Sequence, residues 1–195
     1  MTISHALDLS GALFSLFSTV GYLLVSFWAW PLGMVATLLN GALYKNIGLY
    51  GDMCLELIYF FSMLYGAYVW RYSGKRRSPC PVISMCARAL LIAVLISLMA
   101  VGLTAYLLNH YMHSQTPWYD AITTIFSLLA QWMMCKKIIQ TWLVWFAVDA
   151  AYVGLYAYKG ILVHSFLLLI YLVLAVVGYW RWHCLMKTQE ARECV

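Results

Sequence analysis

In the stretch WLVWFAVD, residues 142–149, two tryptophans and an aspartate stand at i, i+3 and i+7. At 3.6 residues per turn, Trp142, Trp145, Asp149, Tyr152 and Tyr156 fall within roughly 80° of one another on a helix. Two indole faces and a carboxylate on one stripe suit a cationic ligand. The rings attract it through cation–π terms and the acid through Coulomb terms. A second stripe runs through Asp52, Glu56, Tyr59, Met63, Gly66 and Trp70. A third holds Thr124, Ser127 and Gln131, and a fourth Trp30, Thr37, Asn40 and Tyr44. The candidate substrate-binding set is Trp142, Trp145, Asp149, Gln131, Glu56, Asn40, Tyr59, Tyr152 and Ser127.

These residues sit in an unusual background. The chain has 195 residues, of which 65% are hydrophobic and only 10% charged. Its mean hydropathy is +0.81. Soluble domains carry about 25% charged residues, so the composition predicts an all-α integral membrane protein with almost no soluble part. A carboxylate facing lipid costs about 2.5–3.5 kcal/mol even on a lenient scale. Glu56 and Asp149 must therefore face the bundle interior or water, and no Lys or Arg lies at their depth. They are left with protonation or a cationic ligand.

Seven apolar stretches approach the length of a span: 7–25, 30–46, 49–71, 87–108, 119–135, 141–158 and 161–182. Tight turns at Asn46-Ile47-Gly48 and Lys159-Gly160 separate the short spans from their successors. Basic residues cluster at Arg71 to Arg88, at Lys136-Lys137 and after Arg181, while the loop NHYMHSQTPW has none. The positive-inside rule places these clusters in the cytoplasm. That requires an odd number of spans, with the N-terminus outside and the C-terminus cytoplasmic. MTISHALDLS has no basic leader region, so no signal peptide is expected.

The chain also repeats at an offset of 112 (142 − 30). In that one register Asp8 meets Asp120, Trp30 meets Trp142, Gly48 meets Gly160, Gly66 meets Gly178 and Trp70 meets Trp182. Leu57-Ile58-Tyr59 meets Leu169-Ile170-Tyr171. The implied plan is three plus one plus three helices in parallel repeats, as in SWEET-type transporters, whose site lies at the midplane between repeats. The expected parts are a first repeat over 1–71, a basic loop over 72–86 and a linker helix over 87–108. An outer loop follows over 109–118, then a second repeat over 119–182 and a tail over 183–195. The register also exposes an asymmetry: Gly33 stands opposite Trp145, and Thr37 opposite Asp149. One site, weighted toward the second repeat, is expected.

The same residues admit other readings. Trp70, Trp118, Trp180 and Trp182 near span ends fit an interfacial belt. Asn40 and Gln131 suit hydrogen bonds between helices, and Gly66 and Gly178 suit close helix packing. The six cysteines form no C-x-x-C or zinc-like pattern, and no cofactor or metal is expected. Ser73-Gly74-Lys75 resembles the end of a phosphate loop, but Val69 and Arg76 break the pattern. No nucleophile–base pair is visible, and no enzyme activity or nucleic-acid partner is expected. A non-transporting scaffold would not need polar stripes in its core helices.

The motif Trp142-x-x-Trp145-x-x-x-Asp149 resembles the W-x-x-W-x-x-x-(N/D) signature of the PnuC family of bacterial vitamin transporters. Ala130-Gln131-Trp132, Leu155-Tyr156-x-Tyr158-Lys159-Gly160 and Gly178-Tyr179-Trp180-x-Trp182 are similar too, in the same order. Tyr50-x-Asp52 through Glu56, Tyr59, Gly66 and Trp70 resembles the first half. The resemblance implies a homotrimeric facilitator in the bacterial inner membrane, moving nicotinamide riboside down its gradient to a trapping cytoplasmic kinase. It also implies that Trp142, Trp145 and Asp149, with Gln131, contribute to the substrate site. Many members have Gln where Glu56 stands. Relatives carry thiamine or riboflavin. The two quaternary aromatic cations, nicotinamide riboside and thiamine, suit this stripe better than neutral riboflavin. A proton-coupled carrier using Glu56 or Asp149 is the rival within transporters.

Overall fold

The computed structural model describes residues 2–46, 48, 50–73, 82–111, 116–158 and 162–193. All regular structure among them is helical: α1 (Thr2–Leu23), α2 (Ala29–Asn46), α3 (Tyr50–Ser73), α4 (Ala87–Tyr111), α5 (Pro117–Cys135), α6 (Thr141–Tyr158) and α7 (Leu162–Glu193). Each apolar stretch read from the sequence is one helix. The last differs most, because α7 runs past Trp182 into the polar segment expected as a tail. Among the described residues, four helices are long and apolar enough to cross a membrane, with spans at Ala6–Leu23, Asp52–Tyr72, Ala87–His110 and Leu167–Gln189. The turn at Lys159-Gly160 lies outside the described residues.

The chain divides into two compact units, residues 1–81 and 82–195. In the first, α2 packs against both α1 and α3. In the second, the packing order is α4, α5, α6, α7, each helix against the next. Large apolar side chains lie on the outside, among them Met99, Leu103 and Ile96 of α4, Phe61 of α3 and Val173 of α7. Water would penalise such a surface, whereas lipid tails satisfy it.

Helix starts and stops follow local chemistry. Pro117 opens α5, where its missing N–H costs nothing, and Asp120 places a negative charge in the first turn. The other end of α5 and the end of α1 close in the same way. The Ser26 N–H donates to the Gly21 carbonyl (2.9 Å) and the Val25 N–H to that of Tyr22 (3.0 Å). At α5, Ile138 donates to Met133 (3.0 Å) and Lys137 to Met134 (3.1 Å). This is the Schellman pattern, which needs a left-handed residue just past the helix. Glycine usually supplies it, but here Val25 (φ 55°) and Lys137 (φ 54°) do, 112 residues apart.

Candidate functional site

Each of these two corners delivers a tryptophan into the next helix. In the first unit, Trp30 is fully buried and lies over Gly66, where a Cβ would overlap its ring atoms Cη2 and Cζ3. Trp70 meets Trp30 edge-on, with centroids 5.3 Å apart and planes at 82°. In the second unit, Trp142 lies over Gly178, where a Cβ would come within 2.6 Å of Cδ2, Cε2 and Cε3. Trp182 meets Trp142 edge-on at 5.5 Å and 88°. Edge-to-face rings at this spacing are the favoured aromatic geometry. Trp142 is only 2% exposed, with Gly178 and Trp182 of α7 packed against its indole. The indole nitrogens of Trp30 and Trp142 both lack a hydrogen-bond partner among the described residues.

The belt expectation therefore fails for Trp70 and Trp182, both of which are buried. A glycine one turn earlier, Gly66 or Gly178, admits a second indole beneath them. Trp118 and Trp180 are exposed, as a belt requires.

A hydroxyl staples each corner, with donor and acceptor exchanged. Ser18 Oγ of α1 donates to the Ala29 carbonyl of α2 (2.8 Å). Thr141 Oγ1 of α6 donates to the Ala130 carbonyl of α5 (2.7 Å). Ser18 corresponds to Ala130 and Ala29 to Thr141 in the 112 register. Side-chain identity has changed here, yet the contact between the two helices persists.

One turn further along α2 and α6 the units diverge. Gly33 is buried, and a Cβ there would meet Met63 Sδ at 2.8 Å and Ser18 Oγ at 2.9 Å. Its counterpart is Trp145, a half-buried indole. Asp149, the counterpart of Thr37, is half-buried as well. No described residue offers Asp149 a hydrogen bond or an ion pair. Gln131 of α5 is 4% exposed, and its Nε2 has no partner among the described residues. Ser127, one turn earlier, is buried too. Tyr152 continues the α6 stripe and packs edge-on against Tyr119 (6.2 Å). The side chain of Tyr156 lies outside the described residues.

The first unit holds a separate polar pair. Asn40 Nδ2 of α2 donates to Glu56 Oε1 of α3 at 3.3 Å. Gly11 of α1 makes the room, since a Cβ there would overlap Asn40 Oδ1. The register replaces Gly11, Asn40 and Glu56 by Thr123, Tyr152 and Leu168, so this pair has no copy. Tyr59 lies half-buried on α3, and its carbonyl accepts from the Ser62 hydroxyl (2.8 Å). Among the described residues, no group of three or more His, Cys, Asp or Glu side chains is placed to hold a metal.

One device carries no signal in the sequence. Residues 82–86, expected to be part of a plain loop, are extended and pinned to the α5–α6 corner. The Ile83 N–H donates to the Lys137 carbonyl (3.0 Å), and the Ile139 N–H donates to the Ile83 carbonyl (2.9 Å). The Gln140 amide completes the attachment. Its Nε2 donates to Ser84 Oγ and to the Met85 carbonyl, both at 2.9 Å, and its Oε1 accepts from the Met85 N–H at 3.1 Å. The run Val82-Ile83-Ser84 is too short and does not alternate, so it gives no strand signal.

Matching helix corners thus stand 112 residues apart, while Trp145, Asp149 and Gln131 have Gly33, Thr37 and Thr19 at the corresponding positions. The sequence pattern of a family described as nicotinamide mononucleotide transporter matches residues 5–184. The chain belongs to that family. It is a multi-pass membrane transporter. It is 20% identical over 175 residues to the nicotinamide riboside transporter PnuC of Escherichia coli, covering 77% of this chain and 73% of that one. It is 25% identical over 171 residues to the protein of the same name from Neisseria mucosa, covering 82% of this chain and 65% of that one. The riboflavin/roseoflavin transporter RibM of Streptomyces davaonensis is 26% identical over 161 residues, covering 80% and 75%. The fold matches the crystal structure of the vitamin B3 transporter PnuC with a TM-score of 0.77. That match covers 93% of this chain and 82% of the other, at 22% identity.

Proposed function

We propose that the transporter carries nicotinamide riboside by facilitated diffusion across a bacterial inner membrane, with cytoplasmic phosphorylation trapping the product. The observation that carries this reading is Asp149. It is a half-buried carboxylate one turn from Trp145 in an apolar helix, with no cation among the described residues to hold it. A positively charged pyridinium ring supplies that charge and a face for the indole. The open Nε2 of Gln131 suits an oxygen of the ribose or carboxamide. The relatives named for nicotinamide riboside point the same way. Seven spans in a three-plus-one-plus-three plan are supported by the matching corners at Val25 and Lys137. The basic clusters support an outside N-terminus and a cytoplasmic C-terminus. A homotrimer is proposed from the family resemblance alone.

Glu56 favours a second reading. An acid held by Asn40 in α3 suits a proton relay, which would couple uptake to the proton gradient. Purified transporter in liposomes separates the two. Labelled nicotinamide riboside should equilibrate without ATP or an ion gradient and be unaffected by a protonophore. Uptake that collapses with the protonophore would establish the coupled carrier instead. Thiamine and riboflavin run as competitors rank the substrates; stronger competition by riboflavin than by thiamine would remove the argument from charge.

A further inference from the structure

Three positions meet where α2 crosses α1 and α3: Ser18, Gly33 and Met63. Met63 Sδ and Ser18 Oγ close over the bare Cα of Gly33, leaving no room for a side chain. In the 112 register these positions become Ala130, Trp145 and Ala175. The glycine has become the largest side chain, and both residues that closed over it have become alanine. Ala130 and Ala175 are fully or almost fully buried, and the Thr141 staple to the Ala130 carbonyl keeps α6 against α5 there. The tryptophan layer next to it, Trp142 over Gly178, matches its copy Trp30 over Gly66, so the helices cross alike at this level.

We propose that Ala130 and Ala175 are positioning residues that seat the Trp145 indole, and that this exchange of sizes gives the second repeat its substrate-stacking ring. The indole is larger than the space released by the two truncations, so part of it stays outside the packing. The partial exposure of Trp145 agrees. Filling either alanine with its first-repeat counterpart pushes the ring out of its seat. The inference rests on Trp145 contacting substrate, as proposed above.

The test is a double-mutant cycle between Ala175→Met and Trp145→Gly, read by thermal unfolding and by nicotinamide riboside binding on the purified full chain. Such cycles report whether one residue acts through another. Ala175→Met alone should lower the melting temperature and weaken binding about ten-fold. In the Trp145→Gly background the same change should raise the melting temperature, because it rebuilds the Gly33–Met63 pair, and should weaken binding less than two-fold further. Ala130→Ser, which adds one hydroxyl, covers the case in which the methionine variant fails to fold; it should show the same pattern at smaller amplitude. Equal shifts in melting temperature in both backgrounds would overturn the seating. Opposite shifts with no loss of binding in Trp145→Gly would keep the seating and overturn the assignment of Trp145 to the substrate site.

Discussion

Trp142 lies flat against the bare Cα of Gly178, and 112 residues earlier Trp30 lies in the same way against Gly66. The pairing fixes how far α6 can approach α7, and α2 approach α3. A tryptophan and a glycine in facing helices form a knob and a hole whose burial in lipid depends on packing rather than on the hydrophobic effect.

Gly178→Ala and Gly66→Ala should therefore each destabilise the protein by about 1–3 kcal/mol, the usual cost of overpacking a fitted core. Gly102→Ala in α4 is the control. A Cβ there meets nothing within 4 Å, and alanine favours a helix by about 1 kcal/mol. Thermal unfolding in one detergent should order the variants Gly102→Ala, parent, then the other two. An unchanged Gly178→Ala would show that the indole moves aside at no cost.

Val25 occupies left-handed space at φ 55°, where a β-branched side chain is strained by roughly 1–2 kcal/mol. Glycine removes that strain and gives back part of it as chain entropy. Val25→Gly should raise stability by up to about 1 kcal/mol, while Val25→Ala, which keeps a Cβ, should gain less. A Val25→Gly variant that melts earlier would mean that packing of the valine outweighs the strain.

Much of this is legible in the sequence, because it is written in repeats of unusual residues. The Trp30/Trp142 and Gly66/Gly178 matches mark the two corresponding corners, and the apolar runs mark the helices closely. Trp70 and Trp182 read as belt residues in the sequence because exposure near a span end depends on the neighbour, and a glycine one turn away reveals nothing by itself. Val25 and Lys137 carry no sequence signal, because the cap lacks its usual glycine. Ala130 and Ala175 carry no chemistry; only their size relative to Ser18 and Met63 marks them.

Gln140 ties the segment before α4 to the α5–α6 corner through three hydrogen bonds of one amide. Gln140→Ala should cost about 1–3 kcal/mol, since it strands backbone groups of Met85. The loss should be local. Hydrogen exchange at Ile83 and Met85 should accelerate, and protease should cut within 72–86 sooner, while the α1–α3 unit keeps its protection. Uniform loss of protection in both units would assign Gln140 a global role.

Asp149→Asn keeps the shape of the side chain and removes its charge. Two opposite charges 4 Å apart gain about 4 kcal/mol at an effective dielectric of 20 before desolvation is subtracted. A net loss of about 1.4 kcal/mol, or ten-fold in affinity, is the expected effect on a cationic ring. Dihydronicotinamide riboside has nearly the same shape but no charge on its ring. Its binding should change less than three-fold. The ratio of the two affinities, measured on parent and variant, cancels any general damage to the site. A ratio that does not move would mean that Asp149 accepts a hydrogen bond and does not recognise charge.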